Sequence, residues 1–152
     1  MLSQTIFTTT LPVPFIMAKR LTKNFMAYEF ACNCGCGYGE MDPGHMDKIQ
    51  ELRESVGEGL SITSGIRCKE YNDTIDGAAE RSWHIPRNGI VYACDLTFAS
   101  GPRSNQRILK LATLAEQLHF KGLIIYPRRI HLDSRSGRRY RGIDRQWNWK
   151  DS

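Results

Sequence analysis

The stretch SWHIPRNGIVYACDL, Ser82 to Leu96, sets a histidine beside a proline-and-glycine turn and an aspartate at the inner end of an apolar run. A buried carboxylate without a partner is strongly unfavourable, so Asp95 calls for a cation, an arginine or a set of hydrogen-bond donors. Further along, His131-Leu132-Asp133 falls on a predicted strand, where alternate residues face the same side. His84, Asp95 and His131 would make three protein ligands with a fourth position left for water, the pattern of a catalytic zinc ion. Spacing alone leaves this open. A lone histidine is more often a packing residue, and Asp95 pairing with Arg67 or capping a turn is the competing reading.

The elements that must position these residues are legible from periodicity. Asp42-Pro43-Gly44 reads as a turn, followed by a helix from His45 to Val56 with Met46, Ile49, Leu52 and Val56 on one face and Gly57 and Gly59 at its end. Leu60–Ser64 reads as a strand that leads through GIRCKEYN, a turn and a short helix. Ile90–Phe98 is a second strand. A helix from about Arg103 to His119 buries Ile108, Leu111, Leu114 or Ala115, and Leu118, with Pro102 near its start. Gly122–Tyr126 and Arg129–Arg135 make an antiparallel pair joined at Pro127. The order implies an α+β fold, a small antiparallel sheet with packed helices.

At 152 residues and 17.4 kDa, with 41% hydrophobic and 24% charged residues, the chain suits one folded domain rather than a disordered segment. A net charge of +5 favours anionic partners: nucleic acid, acidic lipid or a cell-wall polymer. No apolar run approaches the ~18–20 residues of a membrane helix. The first twenty residues lack a basic segment ahead of their apolar part, which Pro12 and Pro14 interrupt. They read as a flexible arm, with Met17 as an alternative beginning, rather than a secretory signal. The expected organisation is an arm over 1–20, a domain over 21–145 and a tail over 146–152.

The five cysteines are odd in number, and three are crowded into CNCGC. That is not a secreted disulfide framework and fits synthesis in a reducing cytoplasm. Cys32, Cys34, Cys36 and Cys68 offer a second, structural zinc site, although C-x-C-x-C departs from the usual C-x-x-C spacing. Reduced cysteines packed in a Gly-rich loop are the default. Cys94 reads as core.

SGIRCKEYN at 64–72, SWH at 82–84, ACDL at 93–96 and GLIIYPRRIHLDSR at 122–135 resemble the LAS group of zinc peptidases, which includes D-Ala-D-Ala carboxypeptidases and phage L-alanyl-D-glutamate endopeptidases. The similarity runs over about residues 21–142 and follows the pattern S-G-x-R, S-x-H-x-x-G-x-A-x-D and a late histidine on a strand. It implies a hedgehog/DD-peptidase-like single domain and zinc held by His84, Asp95 and His131. It implies that Arg67 binds substrate or the developing oxyanion, and that Ser82 bonds near the metal or substrate.

Two departures stand out. Four extra residues separate His84 from Asp95. Arg128 stands where many members carry an acid or histidine, so Asp133, in the H-x-D arrangement, becomes the candidate base or a carboxylate that orients a zinc-bound histidine. Tyr126 and His119 are weaker bases.

The resemblance implies a monomeric zinc peptidase made in the cytoplasm, of phage or prophage type, that acts on peptidoglycan peptides in the cell wall. The alternative is a zinc-binding module of the same fold without turnover. The basic cluster of Arg128, Arg129, Arg135, Arg138, Arg139, Arg141 and Arg145 either draws the chain to an anionic wall or is an ordinary solvated face. With Tyr140, Trp147 and Trp149 it also suggests nucleic acid, but no nucleic-acid motif accompanies it, and none is expected as a partner.

Overall fold

The computed structural model describes residues 18–148. Residues 1–17 of the expected arm, and Trp149, lie outside the described residues.

After a 3₁₀ turn at Ala27–Phe30 come β1 (Glu40–Met41), α1 (Pro43–Val56), β2 (Leu60–Ser64), α2 (Lys69–Asn72), β3 (Ile90–Val91) and β4 (Ala93–Phe98). The chain continues through α3 (Asn105–Gln117), β5 (Gly122–Tyr126), β6 (Arg129–Asp133) and β7 (Tyr140–Ile143). Five strands form one sheet in the order β2-β4-β6-β5-β7, antiparallel except for the β5–β7 edge, and β1 pairs with β3 in a separate parallel ribbon. This is the expected α+β class, with one parallel edge added to the antiparallel sheet.

The differences from expectation have local causes. Asp42-Pro43-Gly44 is the start of α1 rather than a turn before it: the Asp42 carboxylate accepts the His45 N–H at 2.8 Å, and Pro43 fills the first turn, where its missing donor costs nothing. Gly57 closes α1 at φ +72°. Ser104 caps α3, which therefore begins at Asn105 and not at Arg103. The expected Ile90–Phe98 strand divides at Tyr92, with β3 pairing to β1 and β4 entering the main sheet. The four extra residues after His84 form a tight hairpin. Arg87 and Ile90 exchange both backbone hydrogen bonds around Asn88 and Gly89, whose φ values of +52° and +79° suit a primed turn.

The basic C-terminal segment contains β7. Arg141 gives its guanidinium to the carbonyls of Phe120, Lys121 and Tyr140, and with Arg139 it pairs with Glu116 of α3. Part of the arginine cluster therefore closes the end of a helix rather than facing solvent freely. Trp147, expected in a tail, is buried against the core.

The core lies between the sheet and α1 and α3. Met46, Ile49 and Leu52 from α1 and Ile108, Leu111 and Ala115 from α3 meet Cys94, Leu96, Phe98, Ile130 and Leu132. Among these apolar groups sits His45, fully buried, with Nδ1 2.8 Å from Ser134 Oγ and Nε2 3.6 Å from Cys94 Sγ. Burial lowers the His45 pKa to about 3 and pushes the Cys94 thiol up, so the pair is neutral imidazole and thiol rather than a reactive ion pair.

Unfolded His45 takes up a proton near pH 6.5 that the folded chain refuses until about pH 3. Stability should therefore fall as pH drops through that window, by about 1.4 kcal/mol per pH unit from this group. Urea unfolding midpoints measured at pH 7 and pH 5 should converge by that slope in His45→Gln relative to the unsubstituted chain. An unchanged slope would assign the acid sensitivity elsewhere.

Candidate metal centre

Register across the sheet brings the chemistry together. Asp95 on β4 lies directly opposite His131 on β6, so both side chains leave the same face of the sheet. His84 approaches from the loop between α2 and β3 and is held by the β2–α2 connection. Its Nδ1 lies 2.6 Å from the Gly65 carbonyl, its own carbonyl accepts the Arg67 N–H at 2.9 Å, and its N–H reaches Ser82 Oγ at 3.2 Å. Gly65 is required there by contact: a Cβ would overlap the backbone of Phe30, whose carbonyl accepts the Ile66 N–H at 2.7 Å. The S-G-x-R segment thus grips His84 from two sides. A bulge in β2, between Ile62 and Ser64, re-aims the strand end so that Ser64 Oγ accepts Arg67 Nε–H at 2.9 Å.

Three donor atoms converge. His84 Nε2, His131 Nδ1 and Asp95 Oδ1 form a triangle with edges of 3.1, 3.2 and 2.8 Å, and all three residues are buried. Their other contacts fix their protonation. A carbonyl can only accept, so Gly65 O sets the His84 proton on Nδ1 and leaves a lone pair on Nε2. Asp133 Oδ2 lies 2.9 Å from His131 Nε2, which sets that proton on Nε2 and leaves a lone pair on Nδ1. Two nitrogen lone pairs and a carboxylate oxygen then face one point. They repel unless a proton or a cation stands between them. Zinc–nitrogen and zinc–oxygen bonds of about 2.1 Å give tetrahedral edges of about 3.4 Å, a little wider than the triangle observed. The donor set fits a divalent ion.

Where a proton rather than a cation stands between the donors, each group shifts in the direction its surroundings dictate. Burial would push the Asp95 carboxyl up, but hydrogen bonds from His131 and His84 outweigh it and hold it well below the usual carboxylate range. Burial lowers the His84 pKa, with Asp95 opposing. For His131, burial is outweighed by its two carboxylate neighbours, Asp133 and Asp95, and the pKa rises.

Asp133 is fully buried behind His131. One oxygen accepts a hydrogen bond from His131, Arg135 closes a two-pronged pair on both oxygens, and the Arg135 N–H adds a fourth donor at 3.1 Å. Burial raises its pKa, but Arg135 and His131 prevail and keep it ionised. Its cross-strand neighbours are Ala93 and Gly122, the smallest available, and a Cβ at Gly122 would overlap the carboxylate.

Arg67 Nη2 and Arg129 Nε each stand 3.6 Å from Asp95 Oδ2, on the side that opens to a cleft walled by Trp83, Ile124, Tyr126 and Asp76. Sequence reasoning left Arg129 in a general basic cluster, although its position two residues before His131 on the same face of β6 was a usable signal. It also left His45 and Gly122 unremarked. Arg128 sits on the β5–β6 turn at φ +73° and gives its carbonyl to Thr97 Oγ1. His119 is exposed at the end of α3 and lines no wall of the cleft.

Residues 23–133 match the family model described as Peptidase M15, a stretch that contains His84, Asp95 and His131. Comparisons with curated proteins and with solved structures return no match.

Because Asp133 holds the His131 proton in place, crowding it should weaken metal binding without touching a ligand. Gly122→Ala should lower zinc affinity about 10–100-fold, the range found when a partner of a metal-bound histidine is lost. Competition with a chromogenic chelator measures this. Affinity equal to that of the unsubstituted chain would show that Asp133 is dispensable for orientation.

Proposed function

The chain belongs to the peptidase M15 family, whose members are zinc-dependent metallopeptidases, and from that premise we propose that it hydrolyses peptide bonds of bacterial peptidoglycan. The observation that carries the reading is the convergence of His84 Nε2, His131 Nδ1 and Asp95 Oδ1 at the floor of an open cleft. These three residues would hold zinc. When bound, the ion supplies Lewis acidity and lowers the pKa of a water at its remaining position.

The chain's own residues do the rest. His84 and His131 present fixed lone pairs because Gly65 and Asp133 hold their other protons. Asp133 is assigned this positioning role, since burial and the Arg135 pair leave it no free oxygen toward the cleft. Arg67 and Arg129 reach Asp95 at long range and keep part of each guanidinium available, so they would stabilise charge that develops on a carbonyl oxygen or grip a substrate carboxylate. Stem peptides of peptidoglycan carry such carboxylates, and Arg103 and Arg128 extend the basic wall beside Arg67. Ser82 fixes the backbone of His84 by its turn hydrogen bond. The cell wall is the corresponding place of action.

A second reading, a zinc-binding module without turnover, has one observation in its favour. Arg128 occupies the position where the resemblance leads one to expect an acid, and Asp76 is the one carboxylate besides Asp95 among the described cleft residues.

Incubating the zinc-loaded chain with purified peptidoglycan and weighing the released muropeptides by mass spectrometry separates the two. Cleavage should stop on chelation and return with zinc. Arg67→Ala should slow turnover about 10²–10³-fold, the scale of a lost oxyanion donor, while zinc content stays unchanged. Intact wall polymer after incubation with fully zinc-loaded chain would establish the second reading.

A further inference from the structure

Away from the cleft floor, the loop that leaves the 3₁₀ turn folds its cysteines onto the segment after Arg67. The sulfurs of Cys32, Cys34, Cys36 and Cys68 all lie within 4.8 Å of one another. Three of the separations are 3.3 Å (Cys32–Cys34), 3.6 Å (Cys34–Cys68) and 3.8 Å (Cys32–Cys68). Zinc–sulfur bonds of about 2.3 Å give tetrahedral edges of about 3.8 Å. Disulfides require about 2.05 Å, and all five cysteines are free.

The backbone is shaped for this gathering. In an extended strand, side chains two residues apart sit ~6.6 Å from one another, too far for a shared ion. Here Gly35, Gly37 and Gly39 take φ of +77°, +68° and +93°, which coils the chain so that alternate cysteines turn inward. The Gly35 N–H closes one such turn on the Cys32 carbonyl at 3.0 Å. Three more backbone N–H groups point at sulfur: Cys68 to Cys32 at 3.4 Å, Tyr71 to Cys68 at 3.3 Å and Tyr38 to Cys36 at 3.5 Å. Donors aimed at sulfur stabilise thiolates more than thiols.

We propose that Cys32, Cys34, Cys36 and Cys68 bind a second zinc ion in a closed, structural tetrathiolate site. Four thiolates leave no open position, so this ion takes no part in catalysis. Its effect is mechanical. It ties the 31–39 loop to Cys68, next in sequence to Arg67, and so braces the wall formed by Asn33, Arg67 and Tyr71. The inference does not rest on peptidase activity.

Metal analysis of the full chain, purified under reducing conditions with zinc, should give about two zinc ions per chain. It should give about one in His84→Ala/His131→Ala and about one in Cys36→Ser. Cobalt loaded into the double-histidine variant should show the intense sulfur-to-metal charge-transfer absorption of a tetrathiolate, and Cys34→Ser should lose it. In the unsubstituted chain, zinc should slow alkylation of the exposed Cys34 and Cys36 about tenfold or more relative to the chelated protein. This last readout needs no variant to fold. One zinc per chain that vanishes with the two histidines, or alkylation at equal rates with and without zinc, would overturn the proposal.

Discussion

Two nitrogen lone pairs and one carboxylate oxygen are driven to a common point, and much of the cleft side of the fold follows from keeping them there. Like ends of dipoles repel at 3 Å, so the convergence is unstable without a positive centre, and the protein must hold it by force from outside. The force comes from groups on the far side of each ligand. Gly65 O restrains one imidazole and Asp133 the other, while Arg67 and Arg129 flank the second oxygen of Asp95. These partners come from two places, Gly65 and Arg67 from the β2–α2 connection and Asp133 and Arg129 from β6. The sheet, the β2–α2 connection and the segment after β6 must all be in place before the donor triangle exists.

The layer behind His131 shows how a buried charge is made tolerable. Asp133 has no solvent contact, yet Arg135 supplies two side-chain donors and a backbone N–H, and His131 supplies a fourth. Space for this arrangement is made by small residues, Ala93 on one neighbouring strand and Gly122 on the other. Below them the polarity ends abruptly. His45 and Cys94 remain neutral because burial penalises their charged forms and, for His45, outweighs the pull of Asp133, and they serve as packing groups, His45 bridging Ser134 and Cys94. One sheet therefore carries a charged face and an apolar face, separated by the alternation of residues along β4 and β6.

That alternation is why so much was legible in advance. His131 and Asp133 could be placed on one face from strand period alone, and the α1 and α3 faces from helical period, whereas the register that sets Asp95 opposite His131 belongs to the sheet. The residues alone offered His84 as a candidate across a turn from Asp95 and Arg67 as a possible partner of it. The family resemblance supplied their implied roles and that of Ser82, because all three lie on irregular segments where spacing carries little geometric signal. What escaped was non-local. The parallel edge strand β7 was hidden in an arginine-rich stretch whose side chains bond Glu116 and backbone carbonyls, contacts that composition does not announce. The division of Ile90–Phe98 at Tyr92 depends on β1, a two-residue strand with no pattern of its own. The C-x-C-x-C spacing departs from the usual C-x-x-C, and composition does not announce that three glycines in left-handed conformation gather its sulfurs.

The balance of charge around the cleft decides what it can receive. Two neutral imidazoles and one carboxylate leave a divalent ion with net positive charge, and Asp133 is already neutralised by Arg135. Arg67 and Arg129 then add further positive charge within 4 Å of the carboxylate ligand, with Arg103 and Arg128 beside them. Such an arrangement works against loading the ion and in favour of an anionic guest. The cost is accepted only because the three donors are already oriented, so that little is lost on ordering them when the ion binds. A cationic or neutral ligand would leave the arginines only their long contacts with Asp95 and the Ser64 bond of Arg67. A carboxylate-bearing peptide of the kind proposed would satisfy them, and the same contacts would set its scissile bond over the donor triangle. Under the proposed function, the electrostatics of the wall would select the class of substrate before any side-chain pocket does.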